Sequence, residues 1–145
     1  MQTKLFNLIA ALVFLASGAA NAIERNLTLE EAYKALAGGE LVLIDVRSPE
    51  EWRRTGLAKG ALPITMHNPQ GKEAFFKAVL ARLKGNLDQP IAMICATGIR
   101  SLLTQRFLQS KGFKNVANVP AGMFGRKGDP GWIERGLPVV PCPNC

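Results

Sequence analysis

The chain has 145 residues, 48% of them hydrophobic and 20% charged, with 18 Lys and Arg against 11 Asp and Glu and a formal net charge of +7. That length suits one domain with a real core. The cations are scattered, without a Lys/Arg block or interleaved aromatics, which excludes a nucleic-acid binder and favours small anionic partners.

Lys4 precedes an apolar stretch from Leu5 to Leu15, broken only by Asn7, and Ala20-Asn21-Ala22 has the A-x-A form of a cleavage site. This pattern predicts a secretory signal peptide over residues 1–22. The apolar run is shorter than the roughly 20 residues of a spanning helix, so no membrane contact is expected after its removal. The expected location is the periplasm, or the exterior where no outer membrane exists. Export implies an oxidising compartment. The three cysteines then divide into a tail pair, Cys142 and Cys145, and one free thiol, Cys95. The tail pair reads first as a disulfide without chemistry and second as a redox or sulfur-relay pair.

From residue 23 onward helix and strand signals alternate, the pattern of an α/β domain with a mostly parallel sheet. Thr28-Leu-Glu-Glu31 is a capping box that opens a short helix closed by Gly38-Gly39. Leu41 to Asp45 is a continuous apolar strand of the buried parallel kind. Ser48-Pro49-Glu50-Glu51 is a second capping box, with proline at the first helical position. Its helix stops before Gly56, and Trp52 belongs to the core. Gly60 to Thr65 reads as an edge strand because Pro63 cannot donate to a ladder.

Asn68-Pro69 is expected to start a longer helix, with Phe75, Phe76, Val79, Leu80 and Leu83 on one face and Gly85 at its end. Pro90 to Ile94 is the next buried strand. Ser101 to Lys111 is expected to be helical, with Leu102, Leu103, Phe107 and Leu108 packing inward. Asn115 to Val119 is the last strand. An irregular turn around Gly122 follows, then a glycine- and proline-rich stretch to Gly131, a helical turn at Trp132–Arg135 and an extended tail. The domain is placed at 23–140, with 141–145 as the cysteine-bearing tail.

The strand that ends at Ile94 delivers Cys95 to the sheet's carboxyl edge, where sites form in such folds. Between Cys95 and Arg100 lie Ala96, Thr97, Gly98 and Ile99. A strand, a tight loop and a helix start in this order aim backbone N–H groups at one sulfur. Gly98 permits the positive φ of a curled loop, and the Arg100 guanidinium adds a permanent charge. A thiol there ionises more readily than a free cysteine, whose pKa is about 8.5. Cys95 is therefore the candidate nucleophile, with the residues from Ala96 to Arg100 binding the anion.

This set of residues resembles a single-domain rhodanese. Cys95, Gly98 and Arg100 match its C-x-x-G-x-R loop. Leu43-Ile-Asp45-Val-Arg47-Ser-Pro-Glu50-Glu51-Trp52 matches its D-x-R strand end and short helix. Gly56 to Ile64, Ala121-Gly122-Met123 and Gly136-Leu-Pro-Val139 match later segments in order. The resemblance implies a three-layer α/β domain, with helices on both faces of a mostly parallel central sheet. It implies a sulfurtransferase that moves sulfane sulfur from a thiosulfate-like donor to cyanide or a thiol through a Cys95 persulfide, without metal or cofactor. It makes Asp45 and Arg47 a supporting charge pair. A basic residue common directly after the cysteine is replaced by Ala96, and Gly125 to Trp132 is longer than usual, so that Arg126 or Lys127 can restore positive potential at the mouth.

Three rivals use overlapping chemistry. Cysteine phosphatases and arsenate reductases also cradle an anion, although the related cell-cycle phosphatases enclose five residues between cysteine and arginine. A non-catalytic sulfur carrier would pass persulfide to a protein acceptor. A thiol–disulfide enzyme would rely on Cys142 and Cys145. The single Cys-x-x-Cys and lone His67 argue against zinc.

Overall fold

The computed structural model describes residues 24–145, and the predicted signal peptide lies outside them. Among these residues four helices and nine short strands form an α/β fold. The strands β1 (Arg25–Asn26), β2 (Val42–Asp45), β4 (Leu62–Pro63), β5 (Ile91–Ile94) and β6 (Val116–Asn118) form one parallel sheet in the order β1-β6-β5-β2-β4. The register pairs Asp45 with Ile94 and Met93 with Asn118, so β2 and β5 end level and β6 ends within one residue of them. Pro63 lies on the edge strand, where its missing N–H costs no ladder bond.

Alternation along β2 and β5 divides the core in two. Leu43, Ala92 and Ile94 face one cluster, with Leu29 and Ala32 of α1 (Leu29–Ala37). Ile44, Ile91, Met93 and Cys95 face the other, with Phe75, Val79 and Leu83 from or next to α3 (Lys72–Arg82) and Leu108 of α4 (Ile99–Ser110). Helices thus cover both faces of the sheet, as the sequence predicts. Both capping boxes form, Thr28 with Glu31 at α1 and Ser48 with Glu51 at α2 (Pro49–Thr55).

The structure corrects four expectations. The longer helix starts at Lys72, because Asn68 turns back to accept a bond from the Gln70 amide and Gly71 adopts φ 91°. The fourth helix starts at Ile99, two residues early. Leu103 on that helix is 51% exposed, and Leu102 is half-buried. The inward face instead carries Ser101, Thr104, Gln105 and Leu108. The reason is polar: Gln105 donates to the carbonyls of Arg25 and Val116, and Ser101 lies against the Cys95 sulfur. Finally, the glycine-rich stretch is a hairpin, with β7 (Gly125–Arg126) antiparallel to β8 (Asp129–Pro130). The tail also pairs, as β9 (Val139–Val140) runs antiparallel to β3 (Leu57–Ala58). Trp52 is buried as expected. Trp132 is buried too; its Nε1 donates to Pro138 O.

Candidate active site

The level strand ends gather the site. Past β5 the chain turns at Cys95, and past β6 it enters the Gly122 turn, which closes over the loop. The Met123 amide donates to Cys95 O (2.8 Å) and the Phe124 amide to Ala96 O (3.0 Å). This approach needs glycine on both sides. Gly98 has φ 90° and a Cβ there would strike the Pro120 carbonyl; Gly122 has φ 65° and a Cβ there would strike the Ala96 carbonyl.

With its carbonyls held outward, the loop turns its amides to the sulfur. Gly98 N donates to Cys95 Sγ at 3.2 Å, and Ser101 Oγ lies 3.4 Å away. The Cys95 side chain is fully buried. Burial pushes its pKa up, but the Ser101 hydroxyl and the amides of Ser101, Thr97 and Gly98 pull it down, and the net effect is a thiol more acidic than usual. A structural cysteine in a core lacks such donors.

The predicted residues fall into two groups. Gly98 donates its amide to the sulfur, the Thr97 backbone helps to lower the thiol's pKa, and Ser101, outside the expected set, places its hydroxyl against the sulfur. The signal was available: Ser101 follows Arg100 in the first turn of the helix that faces the loop. Ala96 accepts a bond through its carbonyl, while Ile99 is 64% exposed at the rim.

Arg100 is not aimed freely at an anion. It forms a two-point pair with Glu51, Nη1 to Oε2 at 2.7 Å and Nη2 to Oε1 at 2.8 Å. The Glu51 carboxylate, lowered to about 2 chiefly by the Arg100 bond, raises the Arg100 pKa in turn, with help from the charges of Cys95 and Asp45. Glu51 is thus both the capping residue of α2 and the anchor of Arg100. The sequence showed the first role only.

Asp45 and Arg47 are buried completely and paired, with Arg47 Nη2 2.7 Å from Asp45 Oδ2. Arg47 also donates to Thr55 Oγ1 and to Gly56 O, both at 2.8 Å. Its guanidinium therefore ties the end of β2 to the end of α2, the helix that carries Glu51. At the opposite end of the chain Cys142 and Cys145 are joined by a disulfide. Among the described residues no cluster of His, Cys, Asp and Glu could hold a metal ion, and no helix is long and apolar enough to cross a membrane.

The chain as a whole is similar to known proteins. The family model described as Rhodanese-like domain matches residues 28–128. The chain belongs to the rhodanese-like family. Thiosulfate sulfurtransferase 18 of Arabidopsis thaliana is 29% identical, over 79% of this chain and 82% of that protein. The polysulfide-sulfur transferase homodimer of Wolinella succinogenes is 26% identical, with a TM-score of 0.60 over 83% of this chain and 81% of that one. A Rhodopseudomonas palustris protein of unknown function, described as a possible tyrosine phosphatase, is 25% identical, with a TM-score of 0.56 over 81% of this chain and 85% of that one.

Proposed function

We propose that this chain is a sulfurtransferase that works through a Cys95 persulfide. The observation that carries the reading is one buried sulfur at the end of a central strand, with Gly98 N 3.2 Å and Ser101 Oγ 3.4 Å away. Fixed dipoles of this kind stabilise a sulfur anion without rearranging during the reaction. Sulfurtransferase relatives on the same fold add support.

The Cys95 thiolate attacks the outer sulfur of a thiosulfate-like donor. A new S–S bond forms, the donor's S–S bond breaks, and sulfite leaves with the electron pair. Cyanide or a thiolate then attacks the outer sulfur of the persulfide, and the Cys95 thiolate returns. A protein thiol fits the acceptor role as well as a small one. Export belongs to the same proposal, supported by Lys4, the Leu5–Leu15 run and Ala20-Asn21-Ala22; the mature protein then starts at Ile23, which N-terminal sequencing after expression in a bacterium with a periplasm checks.

Steady-state kinetics with thiosulfate and cyanide both varied test the reaction. Parallel reciprocal plots are expected, with no turnover in Cys95→Ala. Cysteine phosphatase chemistry is the second reading, favoured by the Rhodopseudomonas palustris neighbour. Four residues, not five, separate Cys95 from Arg100, which suits a sulfur atom better than a tetrahedral oxyanion. Turnover of an aryl phosphate, with none of thiosulfate, would overturn the sulfurtransferase reading.

A further inference from the structure

Three successive carbonyls of the active loop are held by the segment that follows β6. The first two bonds are made by backbone, from Met123 N to Cys95 O and from Phe124 N to Ala96 O. The third is made by a side chain. Arg126, in β7 of the hairpin, donates through Nε (3.2 Å) and Nη2 (2.9 Å) to Thr97 O.

Thr97 C=O and Gly98 N–H belong to one planar peptide unit, on opposite sides of it. Gly98 N–H is the donor 3.2 Å from Cys95 Sγ. A guanidinium on the carbonyl therefore fixes the plane that aims this amide. It also polarises the peptide, because hydrogen bonds in a chain strengthen one another. The bond is charge-assisted, the stronger kind, with both nitrogens sharing the one oxygen.

We propose that Arg126 is a positioning residue: it acts through the Thr97–Gly98 peptide to hold an amide on Cys95 Sγ, and so favours the anionic sulfur, thiolate and persulfide alike. The proposal rests on Cys95 being the nucleophile. It also gives the hairpin a task. Ala96 carries no charge at the position after the cysteine, and Arg126 brings a cation to the loop from a separate element.

Other charges surround the loop. Arg100 comes from α4 and Glu51 from α2, as a pair. Asp45 and Arg47 come from the end of β2, also as a pair. On the hairpin Asp129 stands opposite Arg126 in register, and Lys127 follows in the turn. Lys127 supplies the control, since it carries charge on the same hairpin.

The test is the ultraviolet absorbance of the thiolate against pH, in the full chain with the tail disulfide intact and Cys95→Ala as the baseline. Cys95 is then the one thiol that titrates. Arg126→Gln is expected to move the midpoint upward, with roughly three- to tenfold less thiolate at a pH below it. Arg126→Lys, which keeps the charge without the two nitrogens on one oxygen, should recover part of the shift. Lys127→Gln should leave the midpoint in place. Thermal unfolding of each variant confirms that the samples are folded. An unmoved midpoint in Arg126→Gln would overturn the proposal. So would an equal shift in Lys127→Gln, which would reduce the effect to charge alone. Sulfur loading on the same samples separates the two layers of the account. Wild type that titrates as expected but takes up no sulfur defeats the sulfurtransferase reading, whereas normal loading with an unmoved midpoint defeats the role of Arg126.

Discussion

The two cysteine regions of this chain sit in opposite surroundings. Cys95 is buried at the end of a central strand, with the Gly98 amide and the Ser101 hydroxyl on its sulfur. Cys142 and Cys145 are half-exposed at the chain end and bonded to each other. The tail bond closes a four-residue loop and joins no two elements of the fold, because β9 is already held by its ladder to β3. The contrast teaches that burial alone does not set a thiol's acidity, because the donors around the sulfur count as well. At Cys95 the Ser101 hydroxyl, together with the peptide groups around the sulfur, outweighs the effect of burial and leaves the thiol more acidic than usual.

The comparison breaks most completely if the loop loses its shape. Gly98→Ala forces a side chain at φ 90° against the Pro120 carbonyl. A stability loss of about 3 kcal/mol or more in denaturant unfolding is expected, with activity lost alongside. Ser101→Ala tests the donors without altering the backbone. It removes the hydroxyl from the sulfur, so Cys95 becomes less acidic. The rising limb of the pH–rate profile should move to higher pH, and kcat near pH 7 should fall by roughly ten- to a hundredfold.

Glu51→Gln probes the support beneath Arg100. The Glu51 carboxyl lies at about 2 in the folded protein against an ordinary 4.5. A depressed carboxylate stabilises the fold fully above its unfolded value and loses that contribution as pH falls toward the folded one. Thermal melts of wild type should therefore drop between about pH 4.5 and pH 2, and Glu51→Gln should show a shallower drop. The smallest effect belongs to the tail. Cys142→Ser with Cys145→Ser should lower stability by about 2 kcal/mol or less, since a short terminal loop constrains the unfolded chain little, and should leave sulfur transfer intact. Loss of activity in that double variant would erase the contrast between the two regions.

Local signals carried most of what the sequence revealed. Both capping boxes, the buried strands of β2 and β5, the proline on the edge strand and the Cys95 loop were readable because neighbours in sequence determine them. The missing features depend on residues far apart. The inward face of α4 is polar because it serves the sulfur and two strand carbonyls, a pattern that apolar periodicity cannot show. Glu51 revealed its cap but not its bond to Arg100, 49 positions away. β1, β3 and β9 are two-residue strands, too short to give an alternating pattern. The hairpin strands β7 and β8 lie in a stretch whose glycines and prolines read as loop, and the bond from Arg126 to Thr97 spans 29 positions.

The most direct measurement is the intact mass of the purified protein after exposure to thiosulfate and removal of excess reagent. The account predicts a gain of one sulfur, about 32 Da, mapped to the peptide that contains Cys95. The gain should vanish in Cys95→Ala and persist when both tail cysteines are replaced by serine. An unchanged mass in wild type, or the added sulfur on Cys142 or Cys145, would contradict it.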